Sequence, residues 1–211
     1  VRVFREHRPG ATVVISADHG EEFGDHGGLY HGSTLYEEQV RIPLIWSTPG
    51  LVPARTIAAP VELVDIATTL LAALAIPRDA RMRGDDLGPL LVHGEGGPTH
   101  AFAEVGDARM VTDGTHKAIC ESDTNRCQLY DLRADPEERR NLAGEEPDTL
   151  ARLREELGRF VGSIPRVEAL ALATLGGIVG STLGYGAILG FGKVLDWPMK
   201  LEPMSLVIAL G

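Results

Sequence analysis

Asp18, His19 and Gly20 stand at the end of a short apolar run, and the stretch that follows is crowded with groups that bind cations. His26 and His31 come next, interleaved with Glu21, Glu22, Asp25 and Glu37. A carboxylate beside an imidazole suits a divalent cation, and the small Gly20 lets the backbone turn sharply after the pair. On residue types alone this is a candidate metal-binding site.

The elements that must position these groups read as follows. Thr12–Ser16 is rich in β-branched residues and predicts a buried strand. Open α/β sheets place their ligands just past the carboxyl ends of parallel strands, so Asp18 and His19 are expected there, with His31 folded back towards them. Residues 17–33 form the site loop. Leu35–Gln39 predicts a short helix capped by Ser33 or Thr34. Ile42–Trp46 is a second apolar strand, closed by Pro49-Gly50. In Glu62–Leu74, the residues Leu63, Ile66, Ala67, Leu70, Leu71 and Leu74 recur at a helical period before a stop at Pro77. Arg81–Val92 reads as a loop and a short helix.

Beyond His100 the texture changes to short β-like runs, AFAEV, ARMVTDG, THKAIC and CQLYDL, separated by Asp-Gly and Asp-Pro turns. These predict a small antiparallel sheet. Pro147–Val161 should close it as an amphipathic helix, with Leu150, Leu153, Leu157 and Phe160 on one side.

A chain of 211 residues makes one large or two small domains, and 44% hydrophobic content is ordinary for a globular protein. The formal net charge is −10. Beyond residue 164, Arg166, Lys193 and Lys200 balance Glu168, Asp196 and Glu202, so the excess acid lies in residues 1–164. That argues against nucleic acid as a partner, because phosphates need a basic face. It also leaves few cations for an anionic substrate, so a metal would have to help. Cys120 and Cys127 flank what reads as a hairpin tip. They are either a disulfide made in an exporting compartment or two independent cysteines. The start, VRVFREHRPG, reads as the last turns of a helix, no signal peptide is seen, and both ends are abrupt. The expectation is a piece of a longer protein.

Four words, SADHGEEFGDHG, YHGSTLYEEQVRIPLI, VELVDIATTLLAALAIP and LYDLRADPEERRNLA, stand in an order and spacing that resemble the sulfatase branch of the alkaline-phosphatase superfamily. The resemblance implies an α/β fold: an alkaline-phosphatase-like sheet portion over residues 1–99 and a small antiparallel C-terminal subdomain over residues 100–163. It implies a metal-dependent sulfuric ester hydrolase, with a sulfate ester as substrate. A phosphonate or phosphodiester hydrolase of the same superfamily is the alternative.

By the resemblance, Asp18 and His19 belong to the divalent-metal site, usually calcium. Asp supplies the hard oxygen that calcium wants. His19 replaces the commoner Asn, and imidazole suits manganese or zinc better. His31 stands where the family has a Lys or His that contacts sulfate oxygens or the leaving group, so it is the catalytic candidate. The family's nucleophile is a formylglycine made in a C/S-x-P-x-R motif. Neither Cys120 nor Cys127 has that context, so it is expected in an N-terminal part, and this chain should hold half of an active site and be inactive alone.

The other groups have blander readings. Glu21 and Glu22 either orient His19 or are solvated, with solvation favoured for Glu22. His26 is taken as structural, and Glu37, Glu38 and Arg41 as anchors of the helix–strand junction. Asp65, Tyr130 and Asp131 are packing residues. His93, His100 and His116 stand isolated.

Leu170–Gly192 runs for 23 residues without a charge, bracketed by Glu168 and Lys193. That is long enough to cross a bilayer. Gly176, Gly180 and Gly184 share one face, as close-packing membrane helices arrange them. A buried glycine-rich helix is the other reading. Residues 166–211 resemble the C-terminal part of FtsX-like (MacB-type) ABC-transporter permeases, which implies a transmembrane piece over residues 164–211. The chain could then be a permease fragment fused to a passenger hydrolase piece. The implied location is membrane-associated, or periplasmic and cell envelope.

Overall fold

The computed structural model describes residues 2–124 and 126–164. The expected membrane helix and permease-like tail lie outside the described residues. Among the described residues no helix is long and apolar enough to cross a membrane.

The chain opens with a short helix, α1 (Arg2–His7), and then strand β1 (Val13–Ser16). β1 pairs antiparallel with β4 (Leu44–Ser47), Val13 opposite Ser47 and Ser16 opposite Leu44. This corrects two expectations. The strand is not parallel to its neighbour, because its partner is the strand that returns directly from the site loop. Nor is it buried: Ile15 is 43% exposed, because β1 and β4 form a sheet of two strands.

The loop between β1 and β4 carries a small antiparallel ribbon, β2 (Glu22–Phe23) with β3 (Leu29–Tyr30), and one helical turn, α2 (Glu37–Val40). Neither Ser33 nor Thr34 caps α2. The N-cap position is Tyr36, with no side-chain cap bond. The free N–H of Glu37 instead donates to Glu138 Oε2 at 2.6 Å, so a distant carboxylate satisfies the helix start.

Helix α3 (Leu63–Ala73) begins in a reciprocal capping box between Glu62 and Asp65. Its orientation departs from the apolar stripe. The buried residues are Asp65, Thr68 and Thr69, while Leu63, Val64 and Leu74 are exposed. Hydrogen bonds explain the reversal. Asp65 Oδ1 accepts the Asp85 N–H and Thr69 Oγ1 accepts the Leu87 N–H, so the segment leading into α4 (Gly88–His93) lies on the polar face.

Strands β5 (Ala101–Val105), β6 (Ala108–Thr112), β7 (His116–Glu121) and β8 (Cys127–Asp131) form an antiparallel meander in sequence order. Alternation splits it into two faces. Val111, Ala118 and Leu129 meet Leu153 and Leu157 of α5 (Pro147–Ser163). Met110, Ile119 and Tyr130 on the other face meet Leu35 from the site loop. Each such side chain contributes about 1.5–3 kcal/mol on burial. Cys120 and Cys127 lie opposite each other in the β7–β8 register and are joined by a disulfide, so they are not independent.

Candidate functional site

The chain leaves β1 at Ser16 and presents Asp18 with its side chain 88% exposed. Asp18 Oδ1 accepts the His19 N–H at 3.0 Å. Bonds from the backbone N–H groups of Asp18 and His19 hold this carboxyl below the usual carboxylate range, and the His19 and His31 rings add to the effect. His19 Nδ1 lies 2.7 Å from the Gly20 carbonyl oxygen. A carbonyl can only accept, so Nδ1 is the donor there, and Nε2 is the ring nitrogen turned toward Asp18. That Nε2 is 3.7 Å from Asp18 Oδ2, and the two can face one cation.

His31 returns to this point. Its ring stacks on His19 with centroids 3.8 Å apart and planes 23° from parallel. His31 Nδ1 donates to Glu21 Oε2 at 3.1 Å, which leaves its Nε2 free. Glu21 therefore orients His31, not His19. His31 sits between two left-handed residues, Tyr30 at φ 76° and Gly32 at φ 78°. The non-glycine Tyr30 costs about 1–3 kcal/mol in this region, a cost characteristic of segments held in place for a task.

Glu22 is not solvated. It is 1% exposed, because it accepts the N–H groups of His26 and Gly28 and the side-chain amide of Gln39. Those bonds, that of Gly28 first, hold its carboxyl below the ordinary range against the cost of burial. His26 is structural: Nδ1 bonds Glu38 Oε1 at 2.7 Å and its ring stacks on Tyr36 at 3.6 Å. Glu37 and Glu138 flank the buried ammonium of Lys117 at 3.1 and 3.0 Å. Sequence reasoning missed Gln39, Lys117 and Glu138. No local signal singled them out, because their partners come from other segments of the chain.

His19, Glu21 and His31 each offer a ligand atom within 4.8 Å of the others, and Asp18 flanks them. Two imidazole nitrogens with carboxylates fit a divalent ion of the manganese or zinc type better than calcium, which takes six to eight oxygens. A hollow of about 510 Å³ between Ser33–Tyr36 and the β7–β8 hairpin, walled in part by Glu121 and Arg126, includes neither histidine. Among the described residues, the candidate ligand groups cluster at the exposed histidines and not in this hollow.

Residues 24–161 match the family described as N-sulphoglucosamine sulphohydrolase, C-terminal. Arylsulfatase K of Xenopus laevis is 32% identical over 178 residues, covering 74% of this chain and 32% of that protein. Arylsulfatase K of Homo sapiens is 30% identical over 177 residues, with coverages of 74% and 32%. Among solved structures, a 2-O GAG sulfatase superposes with a TM-score of 0.64 at 26% identity, covering 74% of this chain and 37% of its own. A phosphonate monoester hydrolase from Silicibacter pomeroyi superposes with a TM-score of 0.67 over 80% of this chain and 39% of its own. At 23% identity the second likeness is one of fold alone. The chain spans about a third of the length of these curated relatives.

Proposed function

Because the chain belongs to the sulfatase family, as a match to its N-sulphoglucosamine sulphohydrolase C-terminal member, we propose that it supplies one wall of a sulfuric ester hydrolase site. Asp18 and His19 hold a divalent metal, calcium by family habit and manganese or zinc by donor type. His31, held by Glu21, donates a proton to the departing alcohol oxygen or stabilises the charge that develops there. A divalent ion held by these residues would supply charge to polarise a sulfate oxygen. The formylglycine nucleophile comes from a part N-terminal to these residues. The observation that carries the reading is the stacked His19–His31 pair at the carboxyl end of β1, with Glu21 on one ring and Asp18 beside the other.

Sulfated sugars are the proposed substrate class, by analogy with the 2-O GAG sulfatase. The Cys120–Cys127 bridge supports an oxidising location such as the cell envelope. The permease-like texture of residues 166–211 supports attachment to a membrane, which cell fractionation with and without residues 165–211 tests.

The test of function grafts residues 11–163 onto Arylsulfatase K in place of its matching third. Turnover of an aryl sulfate that is lost in His31→Ala supports the reading. Turnover of an aryl phosphonate and not the sulfate favours the phosphonate hydrolase reading, motivated by the fold likeness to such an enzyme.

A further inference from the structure

We propose that Gln39, together with Glu22, is the positioning residue of this site: it ties the two histidine-bearing turns to one buried point and so keeps His19 and His31 in register. The proposal rests on the reading of those histidines as site residues.

Gln39 is 4% exposed, yet it reaches both turns. Its main-chain carbonyl accepts the Gly20 N–H at 2.8 Å, one residue past His19. Its side-chain Oε1 accepts the Gly32 N–H at 2.9 Å, one residue past His31, with longer bonds from Ser33 and Thr34 at 3.4 Å. Its Nε2 donates to Thr34 Oγ1 at 2.6 Å and to Glu22 Oε2 at 2.9 Å. Glu22 Oε1 in turn accepts the Gly28 N–H at 2.7 Å, in the ribbon turn between the histidines. Every polar atom of both side chains is therefore used, and each holds a different part of the loop. Closeness of approach supports the same view. A Cβ on Gly20 would run into the Glu38 carbonyl, so the His19 turn lies directly on the backbone of α2.

The amide is the element that matters. Nε2 supplies donors to a carboxylate and a hydroxyl, while Oε1 accepts from backbone, and no other side chain of this length does both. Gln39→Glu removes the donors and sets two carboxylates against each other in a buried place. Losing those donors should let the two turns come apart. The swap Glu22→Gln with Gln39→Glu restores the bond between the two side chains in mirror form, with the Thr34 hydroxyl turning to donate to position 39. The amide at position 22 donates to the carboxylate at position 39, which still accepts from Gly32.

The experiment uses the full 211-residue chain. It reads the His19–His31 inter-ring nuclear Overhauser effect, the thermal midpoint, and Mn²⁺ and Zn²⁺ affinity. Gln39→Glu should lose the inter-ring signal and weaken metal binding by about 10–100-fold, as loss of supporting groups typically does. The swap should restore both to near the parent. A Gln39→Glu chain that keeps the inter-ring signal at neutral pH overturns the proposal, as does a swap that regains the thermal midpoint without the signal. If the parent binds neither ion, the metal reading fails while the inter-ring signal still decides the positioning role. If Gln39→Glu does not fold, the swap decides alone.

Discussion

His19 and His31 lie face to face at 3.8 Å, brought together by a loop whose two ends enter and leave through paired strands β1 and β4. Their Nδ1 atoms are engaged by Gly20 and Glu21, so the His19 Nε2 is open to an ion and the His31 Nε2 is open to a substrate oxygen. Calorimetric titration of the chain should show Zn²⁺ or Mn²⁺ preferred over Ca²⁺, with His19→Ala abolishing binding. Glu21→Gln, which takes one carboxylate from the cluster, should weaken it by about 10-fold. Equal affinity in His19→Ala would remove the ion from this site.

The isolated chain should not turn over a chromogenic aryl sulfate, with or without added Ca²⁺ or Mn²⁺. Covalent catalysis needs a nucleophile, and Cys120 and Cys127 are both consumed by the disulfide. Turnover abolished by Asp18→Ala would contradict this.

Lys117 is fully buried between Glu37 and Glu138. Burial pushes the Glu138 carboxyl up, and the Lys117 ammonium pulls it back. Lys117→Met leaves two carboxylates without their cation and should cost about 3–5 kcal/mol. For a chain of this size the thermal midpoint should fall by roughly 10 °C. Adding Glu37→Gln and Glu138→Gln should recover most of the loss, which scanning calorimetry would register.

Glu62 starts α3 and accepts the Phe102 N–H at 2.9 Å. Burial raises its carboxyl from 4.5 to about 7, aided by the Asp65 and Asp85 charges and opposed by the Phe102 bond and Arg83. The folded chain therefore binds this proton more tightly than the unfolded one. The stabilisation is complete below about pH 4.5 and is lost as pH rises through about 7. Discounted for partial exposure, the decline is worth about 1–2 kcal/mol. Urea titrations from pH 5 to 8 should show it in the parent and a flatter profile in Glu62→Gln.

What the residues disclosed beforehand follows from how local each cause is. The β5–β8 meander and α5 announce themselves because alternation, turn residues and the Leu150, Leu153, Leu157 and Phe160 spacing are local signals. The extent of α3 is equally local, but its facing is not. Asp65 and Thr69 are buried because Asp85 and Leu87, from a later loop, donate to them. Asp18, His19 and His31 could be picked out by type and order. Glu22 and Gln39 could not: an acid in a glycine-rich loop looks solvated, an amide on a single helical turn looks like surface, and only the folded loop turns Gly28 and Gly32 onto them.

The bond from the Glu37 N–H to Glu138 spans 101 residues of chain, and it starts the helical turn that carries Gln39. Protein synthesis adds about 5–20 residues per second, so this anchor follows the emergence of Glu37 by roughly 5–20 s. Each new copy therefore presents its site loop to the cell unanchored for that interval, while the partner residue is still being made.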